Sequence, residues 1–128
     1  MRNIFTILLL AITSLSFAEG SKGGAYAMLY MQSIMLPPIA EFCGEKIPGY
    51  GKSFNTEFTV WKKSLEEEIS QGKSFLDELD NEQGKDTSEV LERKIESGLA
   101  QLRKQKIEQI KNTCNRNLNM VRYQNNKK

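Results

Sequence analysis

The chain of 128 residues contains no histidine, only two cysteines, three prolines and one tryptophan. The lack of histidine removes the commonest general base and the commonest transition-metal ligand. No serine therefore has its usual partner base, and Lys63 and Lys73 belong to no recognisable serine–lysine motif. We therefore expect a protein that is not an enzyme and that holds no metal ion or other cofactor.

Long apolar runs are also lacking, with one exception at the N-terminus. Residues 1–18, MRNIFTILLLAITSLSFA, combine the basic residue Arg2, an apolar stretch and a final small-x-small triplet. The apolar stretch is too short for a bilayer, which needs about 20 residues. This pattern predicts a cleaved secretory signal peptide. We expect the mature chain to be periplasmic or secreted, and not transmembrane after cleavage.

Net charge is small, but it is unevenly distributed. Without Arg2 the chain has 17 basic and 16 acidic residues, a net charge of +1, which gives no argument for nucleic acid. Residues 57–96 carry 12 acidic and 6 basic side chains, net −6, whereas residues 97–128 carry 8 basic and 1 acidic, net +7.

On one continuous last helix, Lys104, Lys111 and Arg122 share a side. This strip could meet an anionic surface, or could simply face the acidic middle helix or water.

Two motifs that suggest chemistry have structural explanations. Residues 51–53, Gly-Lys-Ser, would end a phosphate-binding loop only after a glycine at position 46, which is Lys46, and after a strand. The stretch instead predicts a turn into a helix, with Ser53 as a candidate N-cap. Glu66, Glu67 and Glu68 point about 100° apart on a helix and cannot converge on one ion, so we expect a solvated face.

Apolar periodicity of three and four residues predicts two long helices, at about 52–80 and 87–123, joined by a turn before the N-cap Asp86. Residues 25–36 are predicted to form a short helix that Pro37 and Pro38 end, and a second short helix is predicted to follow. The fold class is all-α: a long antiparallel helical hairpin, with one or two short N-terminal helices packed at its base, and one disulfide. The predicted boundaries are a signal peptide at 1–18, a flexible leader at 19–24, a single helical domain at 25–123 and a disordered tail at 124–128.

The two cysteines predict one disulfide, between Cys43 and Cys114. In an antiparallel hairpin with its turn at 80–88, residues whose numbers sum to about 168 lie opposite each other. Cys114 then lies beside Phe54, and Cys43 precedes that position by 11 residues. The bridge would tie a short N-terminal helix to the open base of the hairpin.

The segment containing Met28, Met31 and Met35 has two interpretations. Methionines often fill a core, and here they would pack over the hairpin base; they also suit adaptable binding surfaces. The distal hairpin leaves an apolar stripe that the N-terminal helix, a second copy in a homodimer, or a partner protein would cover.

These features favour an exported protein that binds another protein, such as an inhibitor or an immunity-type binder of an envelope-targeted protein. The alternatives are a periplasmic stress chaperone of the holdase type, and a module that binds cell wall or lipid headgroups. No partnership with nucleic acid is expected.

Overall fold

The computed structural model describes residues 22–127, and over this range the protein is all-α, as predicted. The helices are α1 Lys22–Lys46, α2 Tyr50–Ser64, α3 Glu66–Gln83, α4 Thr87–Arg103 and α5 Ile107–Asn126. Helical structure thus extends slightly beyond the predicted limits of 25 and 123 at both ends. The predicted signal peptide lies outside the described residues. No helix within 22–127 has the length and apolar character needed to cross a bilayer.

The central element is α1, against which each of the other four helices packs. Its buried side chains point in several directions instead of forming one stripe, as expected of a helix surrounded by others. They include Ala27, Met31, Met35, Leu36, Ile39, Ala40, Phe42 and Cys43. The prediction of one or two short helices at the base is therefore corrected: one helix of 25 residues runs through the core.

Pro37 and Pro38 lie inside α1 and do not end it. Each proline removes one helical N–H donor and typically costs about 3 kcal/mol or more in a helix interior. Burial of the apolar residues on both sides of the pair favours a continuous helix, because ending it at Leu36 would expose one half. Tertiary packing here outweighs the local preference that the sequence expresses.

Helices α1 and α3 approach each other closely at Gly72. A Cβ atom at this glycine would lie 2.0 Å from the carbonyl oxygen of Tyr26 and 2.8 Å from the backbone nitrogen of Ala27. The two backbones therefore touch directly, which only glycine permits. The apolar cluster beside this contact contains Ala27, Met31, Met35, Leu76 and Leu91.

The two predicted long helices are each interrupted. Leu65, with φ −117° and ψ 19°, separates α2 from α3, and residues 104–106 separate α4 from α5. Three glutamates in the first turn of α3 favour a new helix start there, because the N-terminal end of a helix attracts negative charge. The predicted N-cap is confirmed, since the Asp86 carboxylate accepts a hydrogen bond from the backbone N–H of Glu89.

The predicted antiparallel pairing is not the one observed between α2 and α5. Tyr50 contacts Cys114, and Trp61 contacts Gln124 through its indole N–H. Residue numbers rise together along the two helices, so they run parallel. This arrangement follows from the break before α5, which lets that helix turn back along α2.

The predicted disulfide between Cys43 and Cys114 is confirmed, with Cα atoms 5.8 Å apart and both residues fully buried. It links α1 to α5 and closes a segment of 71 residues. In the chain-entropy model such a closure contributes about 4 kcal/mol. Around it lies the larger apolar cluster, to which Phe54, Trp61, Leu102, Ile110 and Val121 belong.

Tyr50 completes the disulfide region. Its hydroxyl donates a hydrogen bond of 2.7 Å to the carbonyl oxygen of Cys114, and the residue is 3% exposed. Burial raises the pKa of the Tyr50 hydroxyl to about 12, against a smaller opposing effect of Arg122. The phenol is therefore held in its neutral, donating form.

Replacing Gly72 with alanine should destabilise the protein by about 1–3 kcal/mol, because α1 and α3 must separate to admit the methyl group. The loss should exceed the gain of about 1 kcal/mol in helix propensity. Gly51→Ala is the matched control: a Cβ there meets nothing within 4 Å, so this variant should be more stable. Urea unfolding measures both, and a stabilised Gly72→Ala would contradict the backbone contact.

Tyr50→Phe should cost about 1 kcal/mol at neutral pH, through loss of the hydrogen bond to a buried carbonyl. Between pH 10 and 12 the unfolded chain releases the phenolic proton while the folded protein keeps it. The wild-type free energy of unfolding should therefore fall by up to about 3 kcal/mol more than that of the variant. Denaturant curves of the two proteins should converge by about pH 11; a constant difference would show that Tyr50 does not titrate this way.

Candidate binding surfaces

The predicted methionine surface is mostly core. Met31 and Met35 are 0% and 2% exposed and pack against α3 and α4, whereas Met28 is half-buried. Of the two interpretations of this segment, packing is the one that the structure supports. The two buried methionines offer nothing to a partner in this conformation.

One side of α1 carries Tyr26, Tyr30, Ile34 and Pro37, here called the α1 strip. These residues fall within an arc of about 80° on the helix. Tyr30 also packs against both apolar clusters. Ile34 is 41% exposed, Pro37 is exposed, and the two tyrosines are half-buried. Tyrosine and apolar side chains in one strip are typical of the centre of a protein interface.

The tandem prolines give the α1 strip a second property. Pro37 and Pro38 have no N–H group, so the carbonyl oxygens of Ser33 and Ile34 lack their usual helical donors. One of these carbonyls belongs to the exposed Ile34 itself. The strip therefore combines apolar side chains with two backbone carbonyls that have no N–H donor four residues later.

The predicted basic strip is only partly assembled. Lys104, Lys111 and Arg122 are all exposed. However, Lys104 lies after the end of α4, whereas the other two lie on α5. The shared side derived from one continuous helix therefore holds only for Lys111 and Arg122, which are about 20° apart around α5.

Arg122 is also held by α2. Its Nε atom lies 3.8 Å from the Glu57 carboxylate, and the Asn125 amide donates 2.9 Å hydrogen bonds to the carbonyl and carboxylate oxygens of the same glutamate. Such an exposed ion pair contributes little stability. The pair places the Glu57 carboxylate of α2 beside the Arg122 guanidinium.

The outer side of α5 is rich in asparagine, a feature that the sequence analysis missed. Lys111, Asn112, Asn115, Asn119 and Arg122 are all exposed and fall within an arc of about 100°; we call this set the α5 outer face. The detectable signal was the spacing of the asparagines, opposite the buried residues Ile110, Cys114, Leu118 and Val121.

Asparagine is a poor residue for a helix interior, costing up to about 0.7 kcal/mol relative to alanine. None of the three asparagine side chains on the α5 outer face hydrogen-bonds another residue of 22–127. No side-chain hydrogen bond within residues 22–127 therefore offsets their low helix propensity. Residues that disfavour their own secondary structure, with no compensating contact, are candidates for a functional role.

The remaining sequence motifs have structural roles. Gly49, with φ 78°, precedes α2, and Ser53 lies one turn inside that helix, so the expected Ser53 cap is corrected. Glu66, Glu67 and Glu68 line a shallow, open depression at the junction of α2 and α3. Among residues 22–127 no group of three or more acidic, cysteine or histidine side chains is placed to hold a metal ion.

Comparison of the chain with protein-family models, with curated proteins and with solved structures finds no match.

Substituting Asn112, Asn115 and Asn119 with alanine should stabilise the protein, by about 0.5 kcal/mol each. The physical reason is the better helix propensity of alanine at exposed positions that make no internal hydrogen bond. Urea unfolding of the triple variant should show a gain of about 1–2 kcal/mol. A loss of stability would show that these amides hold the fold together and would remove them as candidates for binding.

Proposed function

We propose that this protein is an exported, non-enzymatic binding protein that engages another protein, as an inhibitor or immunity-type binder does. The α1 strip is the observation that supports the proposal. It offers two half-buried tyrosines, an exposed isoleucine and two carbonyls without the usual helical donor, on a helix that the rest of the fold holds in place. A rigid apolar strip of this kind suits a partner with a complementary groove and backbone N–H donors.

Export is supported by the N-terminal sequence and by the disulfide. Residues 1–18 have the pattern of a signal peptide, and a structural disulfide in a small protein is typical of an oxidising compartment. The partner would then be a protein of the periplasm, of the envelope or of the surroundings. A protein directed at the envelope fits this location.

A holdase chaperone receives less support from the structure. Among residues 22–127 the large exposed hydrophobic side chains are Ile34, Val60, Ile107 and Tyr123. They lie on three different helices, so they offer no broad apolar surface to unfolded clients. Cell-wall or lipid-headgroup binding is a second candidate function, because Lys104 and Lys111 are exposed on the basic C-terminal part.

Affinity capture from an envelope extract tests protein binding. The immobilised wild-type protein should retain one partner, saturably and at fixed stoichiometry. Ile34→Asp should lose that partner because it places a charge at the most exposed large apolar side chain of the strip. Val60→Asp is the matched control, since Val60 is 54% exposed but lies on α2.

Equal loss of the partner in both variants would indicate that the α1 strip is not the interface. Suppression of aggregation for several unrelated client proteins, without a stoichiometric partner, would favour the holdase function instead. Failure in both the capture and the aggregation assay would contradict both functions.

A further inference from the structure

The α5 outer face combines amides with cations along one side of a helix. Lys111 and Arg122 lie at its ends, about 17 Å apart at 1.5 Å per residue, and the three asparagines lie between them. The sole acidic residue of α5, Glu108, is in the first turn, where the helix dipole favours it. It lies on the same side as the α5 outer face, one turn before Asn112. Over the following 18 residues the side chains with charge are all basic.

The asparagine amides limit which chemical groups of a ligand can pair with this face. Each asparagine side chain has two N–H donors and a carbonyl acceptor. Carboxylate, sulphate and ionised phosphate groups only accept hydrogen bonds, so a purely anionic surface would leave three amide oxygens without a partner. A hydroxyl group both donates and accepts, and therefore matches an amide fully.

The face also lacks what a lipid surface requires. Helices that lie in a membrane interface bury an apolar side in the lipid. No apolar residue belongs to the α5 outer face, and the buried side of α5 is occupied by the core around Cys114 and Leu118. The exposed Ile107 and Tyr123 lie on either side of the face, near opposite ends of α5, so they form no continuous apolar side. A hydrated polymer fits better than a bilayer.

We propose that the α5 outer face binds an anionic polysaccharide. Lys111 and Arg122 attract the anionic groups of the polymer, and Asn112, Asn115 and Asn119 hydrogen-bond its hydroxyls. This assignment specifies a ligand class and residues for the second candidate function. It stands apart from protein binding by the α1 strip, which uses another helix, so the two proposals can fail separately.

Three soluble polymers separate the contribution of charge from the contribution of hydroxyl groups. Their binding to the disulfide-bonded protein is measured directly at low ionic strength. Polygalacturonate has both carboxylates and hydroxyls, polyglutamate has carboxylates without hydroxyls, and dextran has hydroxyls without charge. The protein should bind polygalacturonate about tenfold more tightly than polyglutamate, as one or two extra hydrogen bonds would give. Binding to dextran should be weaker than to either.

Two sets of variants test the residues. The triple variant Asn112→Ala, Asn115→Ala, Asn119→Ala should lose the preference for polygalacturonate while its binding to polyglutamate stays the same. Because these substitutions improve helix propensity, unfolding is not an alternative explanation. The double variant Lys111→Gln, Arg122→Gln should weaken binding to both charged polymers and reduce the dependence on salt.

Asn55→Ala combined with Asn81→Ala is the matched control, because both asparagines are exposed on other helices. It should bind all three polymers as the wild-type protein does. Equal wild-type affinity for polygalacturonate and polyglutamate would overturn the proposal, since charge alone would then explain binding and an acidic protein would fit as well. Binding to phosphatidylglycerol vesicles without binding to polygalacturonate, or an unchanged preference in the triple variant, would also overturn it.

Discussion

The contact between the backbones of α1 and α3 at Gly72 is the constraint on which the rest of the architecture depends. Because the Tyr26 carbonyl occupies the place of a side chain at position 72, α3 lies directly on α1. The N-terminal half of α1 is thereby enclosed by α3 and α4. The disulfide from Cys43 to Cys114 fixes the other half of α1 to α5. One helix, held at both ends, organises the four that surround it.

The sequence predicted the helical class, the disulfide and the cap of this fold better than the directions in which its helices run. The helical class, the cysteine pair and the cap at Asp86 follow from chemistry that acts over a few residues or through covalent geometry. The apolar periodicity of the sequence shifts between Leu102 and Ile107, where α4 ends and α5 begins, whereas it continues unchanged across the break at Leu65. The direction of α5 relative to α2 depends on those breaks, and apolar periodicity does not encode the angle between consecutive helices.

The position of α1 was the largest error, and its cause is physical. Pro37 and Pro38 express a strong local preference against a helix, while burial on several sides of α1 favours a continuous one. The second effect involves residues on all the other helices and cannot be read from the segment itself. The candidate surfaces show the same difference between what local sequence predicts and what tertiary packing decides. Lys111 and Arg122 could be predicted from helical spacing, but exposure of Ile34 and burial of Met31 depend on which helices surround α1.

Both proposed surfaces contain residues that lower the local stability of the helix on which they lie. The prolines weaken the hydrogen bonding of α1 beside Ile34, and the asparagines lower the propensity of α5 between Lys111 and Arg122. Most natural sequences are locally consistent with their folds, because inconsistent ones have competing structures of similar energy. Both proposals rest on the same argument: residues that lower the local stability of a helix stand on exposed faces, and binding would explain their presence.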